Sequence, residues 1–436
     1  MGKYSNQVKT NEAWLPMIPS QWELKKIKWS FKERSEKGYP DEPLLVASQN
    51  MGVVPKNVYG KRTVEALKDL DKLKLVKVGD YVVSLRSFQG GIEYAYYQGI
   101  ISPAYTIMRP NPDFCSAYYK FLFKSAPFIK LLTTCVTGIR EGQNIDYGKL
   151  KNHYIPVPPR AEQNQIVRFL DWKVSEINKL TSIRKKQIKQ LEEIKEKQIE
   201  NALSHFSCQA DVQPLKAIAY CNRESLSEST AENYSFRYID IGSVDEKEGI
   251  THYEEMEFKN APSRARRIVH KNDIIISTVR TYLKAITRIT DDKDVIVSTG
   301  FAVLSPHGVD SKYLEYYFKS KRFCDEVIRE SIGIAYPAID TSKLMRIKIL
   351  VPKYEEQLAI TAQVHKNEIL INQTISLLKK KIKQLQELKS TLISDVVTGK
   401  IDVRNIPVPA YEHVDDLTAD GGEGNDEEPR IPGEED

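Results

Sequence analysis

Residues 185–195 read KKQIKQLEEIK, and residues 379–389 read KKKIKQLQELK: the same lysine-rich amphipathic phrase, identical at eight of eleven positions, returns 194 residues later. Lysine-rich helices resemble one another by chance, so the match needs support from elsewhere in the chain. The same offset superposes Ile145-Asp146 on Ile339-Asp340, Leu150 on Leu344, Pro158 on Pro352 and Glu162-Gln163 on Glu356-Gln357. With a few residues of slippage, Asp80-x-x-x-Ser84 falls on Asp273-x-x-x-Ser277, Gly138-Ile139 on Gly333-Ile334, and Leu24-Lys-Lys-Ile27 on Leu215-Lys-Ala-Ile218. The order is kept throughout, so the chain reads as two tandem copies of one unit.

Each copy opens with β-branched and aromatic runs bounded by turn formers. These are Tyr81-Val82-Val83 and Tyr105-Thr106-Ile107 in the first, and Ile274-Ile275-Ile276 and Val295-Ile296-Val297 in the second. Gly79-Asp80 and Asn272-Asp273 precede a strand in both, where a residue tolerating positive φ is expected. A short helix follows (117–124; 311–319), then a polar loop beginning at Gly138 or Gly333, then a proline-bearing stop at Ile155-Pro-Val-Pro-Pro159 or Ile349-Leu-Val-Pro352. From there each copy becomes one long helix, about 160–207 and 354–398, without an internal glycine or proline before its end. In the second, Ile371, Leu378, Leu385 and Leu392 recur every seven residues, with Ile375, Ile382 and Leu388 read as the neighbouring stripe. The first keeps Ile177, Ile188, Leu191 and Ile194 but substitutes Arg184 and Gln198. A shared apolar stripe on both helices predicts that they pair with each other, antiparallel. The expected fold is α+β: two globular heads (1–158 and 208–352) alternating with two long helices (159–207 and 353–403) in a pseudo-two-fold tandem repeat, with an acidic tail over 404–436.

The net charge of +5 hides an asymmetry. From Glu412 onward there are eleven acidic residues against Arg430 alone, a net of −10, so the rest of the chain carries +15. The glycine- and acid-rich tail is expected to be disordered, and the basic body suits a polyanion partner. No apolar run approaches the ~18 residues of a membrane span, the first twenty residues lack an apolar signal core, and Asn6 stands where myristoylation requires Ser or Thr. Five scattered cysteines without a C-x-x-C spacing speak against a disulfide framework or a zinc site and for a reducing cytoplasm.

The repeat, the Gly-Asp-x-x-x-Ser strand entry, the Pro-x-Pro-Pro/Glu-Gln junction into a long helix and the opening Ile18-Pro-x-x-Trp22-x-Leu24 together resemble the specificity (S) subunit of type I restriction–modification systems. The resemblance covers nearly all of the chain except the acidic tail; the second copy lacks the tryptophan. It implies that the globular units are target recognition domains, each reading one half of a split double-stranded DNA site, that the paired helices space them, and that the subunit is non-catalytic. It further implies recruitment of two adenine methyltransferase (M) subunits using S-adenosylmethionine, and in the full enzyme two ATP- and Mg-dependent restriction (R) translocase–nuclease subunits.

Base readout calls for hydrogen-bonding side chains at loop tips, with Arg for guanine and Gln or Asn for adenine favoured. The first head offers Arg86, Ser87 and Gln89 after its strand, and Arg140, Gln143 and Asn144 in its glycine loop. The second offers Arg280, Thr281, Tyr282 and Lys284, then Tyr336 in the loop opened by Gly333. Arg264, Arg266 and Arg267 form a basic cluster better suited to phosphates.

Enzyme readings fare worse. Asn111-Pro112-Asp113-Phe114 looks like the tetrapeptide with which adenine methyltransferases grip a flipped base, but Asp replaces its third residue and no glycine-rich cofactor loop is present. It reads as a turn after a strand. Asp245 with Glu257-x-Lys259 has a nuclease-like spacing but no counterpart in the first copy. No phosphate loop, His-Glu-x-x-His or G-x-G-x-x-G stands in the sequence. The alternative from a different class is a non-enzymatic coiled-coil scaffold or repressor with two protein- or glycan-binding modules.

Overall fold

The computed structural model describes residues 2–59, 69–84, 87–137, 144–205, 210–333 and 336–414. They form two compact units, Met1–Lys186 with Leu378–Asp436, and Gln187–Leu377. The boundaries fall inside the two long helices, Arg160–His205 and Tyr354–Val397, so each unit holds one head and a length of both helices.

The duplication is visible as topology. In the first unit the central sheet orders its strands Phe31–Arg34, Thr106–Pro110, Tyr81–Val83, Glu93–Tyr94, all antiparallel. In the second the order is Ala219–Cys221, Phe301–Pro306, Ile274–Ser277, Ile286–Arg288, again antiparallel. Each head is closed by pairing its opening strand with its proline-bearing stop: Glu23–Lys26 with Tyr154–Val157, and Asp211–Pro214 with Lys348–Val351. The strand Val295–Ser298 belongs to another sheet, where it runs parallel to Ser235–Ile239 and antiparallel to Ala265–Ile268. The first head builds the matching place with the Lys74–Val76 and Gly99–Ile101 pair.

The predicted strand-entry turn is present in both units. Gly79 and Asn272 have φ of +90° and +75°. The carboxylates of Asp80 and Asp273 accept the N–H of Lys77 and His270 at 2.9 and 2.8 Å. Where one short helix was expected per head, there are two: Ser116–Phe123 then Ala126–Thr134, and Ser311–Lys319 then Lys321–Glu330. Ser320 breaks the second pair, its side chain accepting from Phe323 N at the new helix start. The cores behind them are aromatic, with Phe31, Tyr81, Tyr119 and Phe123 in the first and Tyr313, Tyr317, Phe318 and Phe323 in the second fully or nearly buried.

The helices pair antiparallel within each unit. In the first unit Lys389 Nζ donates to Asn178 Oδ1 (3.2 Å); in the second Lys195 Nζ donates to Asn372 Oδ1 (3.4 Å) and meets Glu368 at 2.9 Å. Lys195 and Lys389 are equivalent in the repeat, as are Asn178 and Asn372, so the same lysine–asparagine bridge is built twice. Ile177, Ile371, Leu378 and Leu392 are buried and Ile188, Leu191, Ile375, Ile382 and Leu385 partly so. Two predicted seam residues are corrected: Ile194 and Leu388 are 45% and 55% exposed. The second stripe runs four residues behind the first, through Thr181, Ile188, Lys195 and Ala202 and through Ile375, Ile382, Lys389 and Val396. The seam positions next to Ile194 and Leu388 are thus filled by lysine stems, which cover apolar surface while their ammonium groups reach a partner.

The expected tail also begins too early. Residues 399–414 pack back on the first unit: Val403 is fully buried, and Gln165 Nε2 donates to the carbonyls of Val403 and Ile406 (3.1 and 2.7 Å). The remaining residues, 415–436, lie outside the described residues.

Candidate nucleic-acid interface

Both heads hold their candidate loops with the same device, a buried glutamine at the start of the long helix. Gln163 Nε2 donates to the Pro158 carbonyl (2.7 Å) while its Oε1 accepts from Cys115 N (3.0 Å). Gln357 donates to the Pro352 carbonyl (2.7 Å) and accepts from Asp310 N (2.9 Å). One side chain thereby ties the helix to the end of the head and to the start of the helix that supports the loops. An unsatisfied amide there would cost ~1–3 kcal/mol per lost bond, so the arrangement is stiff.

In the first head the turn after Tyr81–Val83 leads into a single helical turn, Ser87–Gly90, which packs beside Ala126–Thr134 and the strand Asn144–Ile145. Gln89 and Asn144 are exposed on these neighbouring elements. Ser87 is not: it is fully buried, its Oγ accepting the N–H of Ser84 at 2.8 Å, so it shapes the turn instead of facing a ligand. Arg86, Arg140 and Gln143 lie outside the described residues. The strands Val136–Thr137 and Asn144–Ile145 pair antiparallel, so the glycine loop joins the two arms of a hairpin.

The second head brings its two candidate loops into contact. The turn Thr281–Leu283 is flanked by Arg280 and Lys284, both in the left-handed region (φ +51° and +46°). Such a backbone costs a non-glycine residue of order 1 kcal/mol and is a feature of functional loops. The Arg280 guanidinium sits 5.3 Å from the centre of the Tyr336 ring, joining the strand-end loop to the loop opened by Gly333. Thr281 corrects the sequence reading: 96% of it is out of solvent, its Oγ1 2.9 Å from Ser331 Oγ, so it is the anchor that brings the loops together. Lys284 is engaged by Glu246 (2.8 Å), a hydrogen bond that outweighs burial and holds its pKa above the usual lysine value; its charge is answered within the head. Tyr282 and Tyr336 are 50% and 68% exposed.

Beside them stand Leu283 and Ile332, 39% and 70% exposed, which a search for hydrogen-bonding side chains passes over. Apolar contact with a thymine methyl is a recognised mode of base reading. The only signal for them in the sequence is position, one residue from Tyr282 and one from Gly333.

The arginine cluster is divided by its strand. Arg264 is exposed at the turn before Ala265–Ile268. Arg266 lies 4.9 Å from the centre of the Phe258 ring, and Arg267 reaches Ser225 Oγ at 3.5 Å while its Nε has no partner among the described residues. A register irregularity between Ala265 and Arg267 sets the last two side by side.

The enzyme-like motifs resolve into turns. Asn111 donates to the carbonyls of Ser30 and Trp29 (3.0 and 2.7 Å) and accepts from Phe114 N, closing the bend after Thr106–Pro110. Asp245 accepts the N–H of Lys247 and Glu248 at a hairpin, and Glu257 pairs with Lys259 at 2.6 Å. Among the described residues no group of three or more His, Cys, Asp or Glu could hold a metal ion, and no helix is long and apolar enough to cross a membrane. Burial pushes the Cys324 thiol up to about 12, so it stays protonated at neutral pH.

Residues 22–193 and 207–387 match the family described as type I restriction modification DNA specificity domain, once for each half of the duplication. The chain belongs to that family. Its role is DNA sequence specificity in a type I restriction–modification system, and the scaffold or repressor alternative is not favoured. Among its relatives are two proteins of Methanocaldococcus jannaschii, named the type I restriction enzyme MjaVIII specificity subunit and the putative type I restriction enzyme MjaX specificity subunit. Each is 22% identical, over 89% of this chain and 95% of the relative. A solved structure titled for complex assembly and conformational transition of the type I R-M system shares the fold, with a TM-score of 0.66 at 15% identity over 88% of this chain and 99% of that one.

Proposed function

We propose that this specificity chain gives a type I restriction–modification complex its target by reading a bipartite, asymmetric site in double-stranded DNA, one half per head, and that it performs no catalytic step itself. The observation that carries this is the contrast between frame and loops. The strand order, strand-entry turn and buried glutamine are the same in both units, while the loops they present differ in every exposed side chain. Gln89 and Asn144 in one head, and Arg280, Tyr282 and Tyr336 in the other, suit different bases. Arg264 and the lysines around the heads suit phosphates, which position the duplex without reading it.

On this reading the charged outer faces of the long helices receive the partners: two methyltransferase subunits, matching the two copies of the repeat, and in a cleaving complex two restriction subunits. S-adenosylmethionine, ATP and Mg belong to those partners, and the whole assembly works in the cytoplasm. The test is Arg280→Ala in the complex with its methyltransferase, by duplex binding across a salt series. Loss of a bidentate guanine contact weakens cognate binding by about 1–3 kcal/mol and relaxes one position of the site. If the variant instead weakens all sequences alike and flattens the salt slope by about one unit, Arg280 holds a phosphate and the loop is not a reader. Methyl transfer by the purified chain with S-adenosylmethionine alone would refute the non-catalytic part.

A further inference from the structure

The middle of the helical pair in the first unit is a belt of positive charge. Residues 178–186 of the first long helix carry four cations, residues 378–386 of the second carry four more, and neither stretch contains an Asp or Glu. The lysine–asparagine bridge between Asn178 and Lys389 stands at the edge of both stretches. Lys186, Lys379, Lys380, Lys381 and Lys383 are exposed. Eight like charges on two adjacent helices repel one another, and nothing in the seam needs them there. Such a surface is built to meet a polyanion.

The chain carries one. Residues 415–436 hold ten carboxylates against Arg430, a net of −9 facing the belt's +8. The structure also delivers that segment to the place. From Val403 to Val414 the chain follows the first long helix toward its C-terminal end. It contacts Gln165 first, then Ser175 through His413 (3.3 Å) and Val414 N (3.3 Å), then Asn178, whose Nδ2 donates to the Val414 carbonyl at 2.9 Å. Lys179 holds Glu412 at 2.9 Å. The next residue, Asp415, therefore starts within ~12 Å, at 1.5 Å per residue, of the Arg184-Lys185-Lys186 triplet. Twenty-two residues can reach roughly 70 Å when extended, several times the distance required.

We propose that residues 415–436 lie along this belt as a built-in polyanion, occupying the helical pair so that duplex phosphates meet the heads alone. The contact is a set of exposed ion pairs, individually worth little and screened by salt. It therefore acts as a competitor that a stronger polyanion or a docking partner displaces, not as a structural clamp. The tail changes how firmly any duplex is held and leaves the sequence that is read untouched.

The experiment is lysine acetylation followed by peptide mass spectrometry, on the full chain and on one ending at Val414, at low and high salt. At low salt Lys185, Lys186, Lys379, Lys380, Lys381 and Lys383 should react about threefold or more slowly in the full chain, a difference of the size clustered surface ion pairs produce. High salt should erase the difference, while lysines of the heads react equally in both chains. Equal rates at the belt at low salt, or protection spread evenly over the heads, would overturn the proposal. A second reading uses the full chain carrying Lys379→Gln, Lys380→Gln and Lys381→Gln, exposed changes that leave the seam intact. Limited trypsin cleavage after Arg430 should then be faster than in the parent chain; an unchanged rate would count equally against the belt.

Discussion

The two units share a frame but finish it differently. In the first, Glu162 at the start of the long helix is buried, accepting hydrogen bonds from the Tyr4 hydroxyl and from Trp22 Nε1 (2.8 Å). Gly399 lies against Pro19 and Trp22, and Arg404 sits 5.1 Å from the centre of the Tyr4 ring. The residues before the first head and those after the second long helix thus meet around one carboxylate. In the second unit the equivalent Glu356 is exposed and accepts only the N–H of Lys353 (3.1 Å) among its printed partners, and no tryptophan stands nearby in the chain. The neighbouring glutamines, Gln163 and Gln357, are identical in role. The duplication has kept what fixes loops to helix and has varied what surrounds it.

The largest effect should come from the element both units need. Leu378→Asp combined with Leu385→Asp puts two charges into the seam, and unpaired buried charge is intolerable there. The chain should lose its cooperative melting transition and its binding to methyltransferase partners. Leu388→Asp, one position off the stripe, should leave both unchanged. An intact transition in the double variant would remove the seam from the account.

Next in size is a change that separates the units. Trp22→Ala should cost about 3–5 kcal/mol, as for other buried aromatics, and hydrogen exchange should quicken in the first unit while the second keeps its protection. Uniform loosening of both would show that the clamp around Glu162 is not local. Gly399→Ala acts on the same clamp: an added Cβ would stand 2.3 Å from Pro19 Cδ at a φ of +74°. It should destabilise the first unit in the same selective way.

Gln163→Ala and Gln357→Ala probe the shared device. Each leaves two buried partners unanswered, and each should cost about 2–4 kcal/mol by denaturant unfolding, the sum of two such losses. Clearly unequal costs would mean that the two frames are less alike than their geometry.

The smallest effect is a pH dependence confined to the second unit. Burial pushes Glu368 up, but hydrogen bonds from Lys195 and Tyr316 outweigh it, so its pKa lies below the usual carboxylate value. A depressed folded-state pKa gives stability that is complete above the unfolded value, near 4.5, and is lost as pH falls through the folded one. Glu368→Gln should therefore flatten the acid limb of the stability curve and change little at neutral pH.

Much of this was legible before any coordinates. The repeat, the positive-φ turn before the strand, the proline stop and the long helices follow from residues whose chemistry leaves few choices. Glycine or asparagine stands where φ is positive, proline where a helix must not begin early, leucine every seven residues. What escaped depended on register or on depth. Leu388 and Ile194 look like seam residues because they are apolar, yet the stripe passes through Lys389 and Lys195, whose stems serve the seam while their charges leave it. Ser87 and Thr281 look like readers because they carry hydroxyls, yet both bond inward, and only the packing of neighbouring loops decides that. The extra helix in each head hid behind Ser125-Ala126-Pro127 and Ser320, short breaks that read as helix ends.

The central claim, that one frame presents two independent reading surfaces, is tested most directly by exchanging a single head. Residues 14–155 would be replaced with the corresponding head of another specificity subunit, and the methylated sequence mapped across a genome with the partner methyltransferase present. The account predicts that one half of the methylated motif changes to that of the donor while the other half is kept. A motif altered in both halves, or left unchanged, would contradict it.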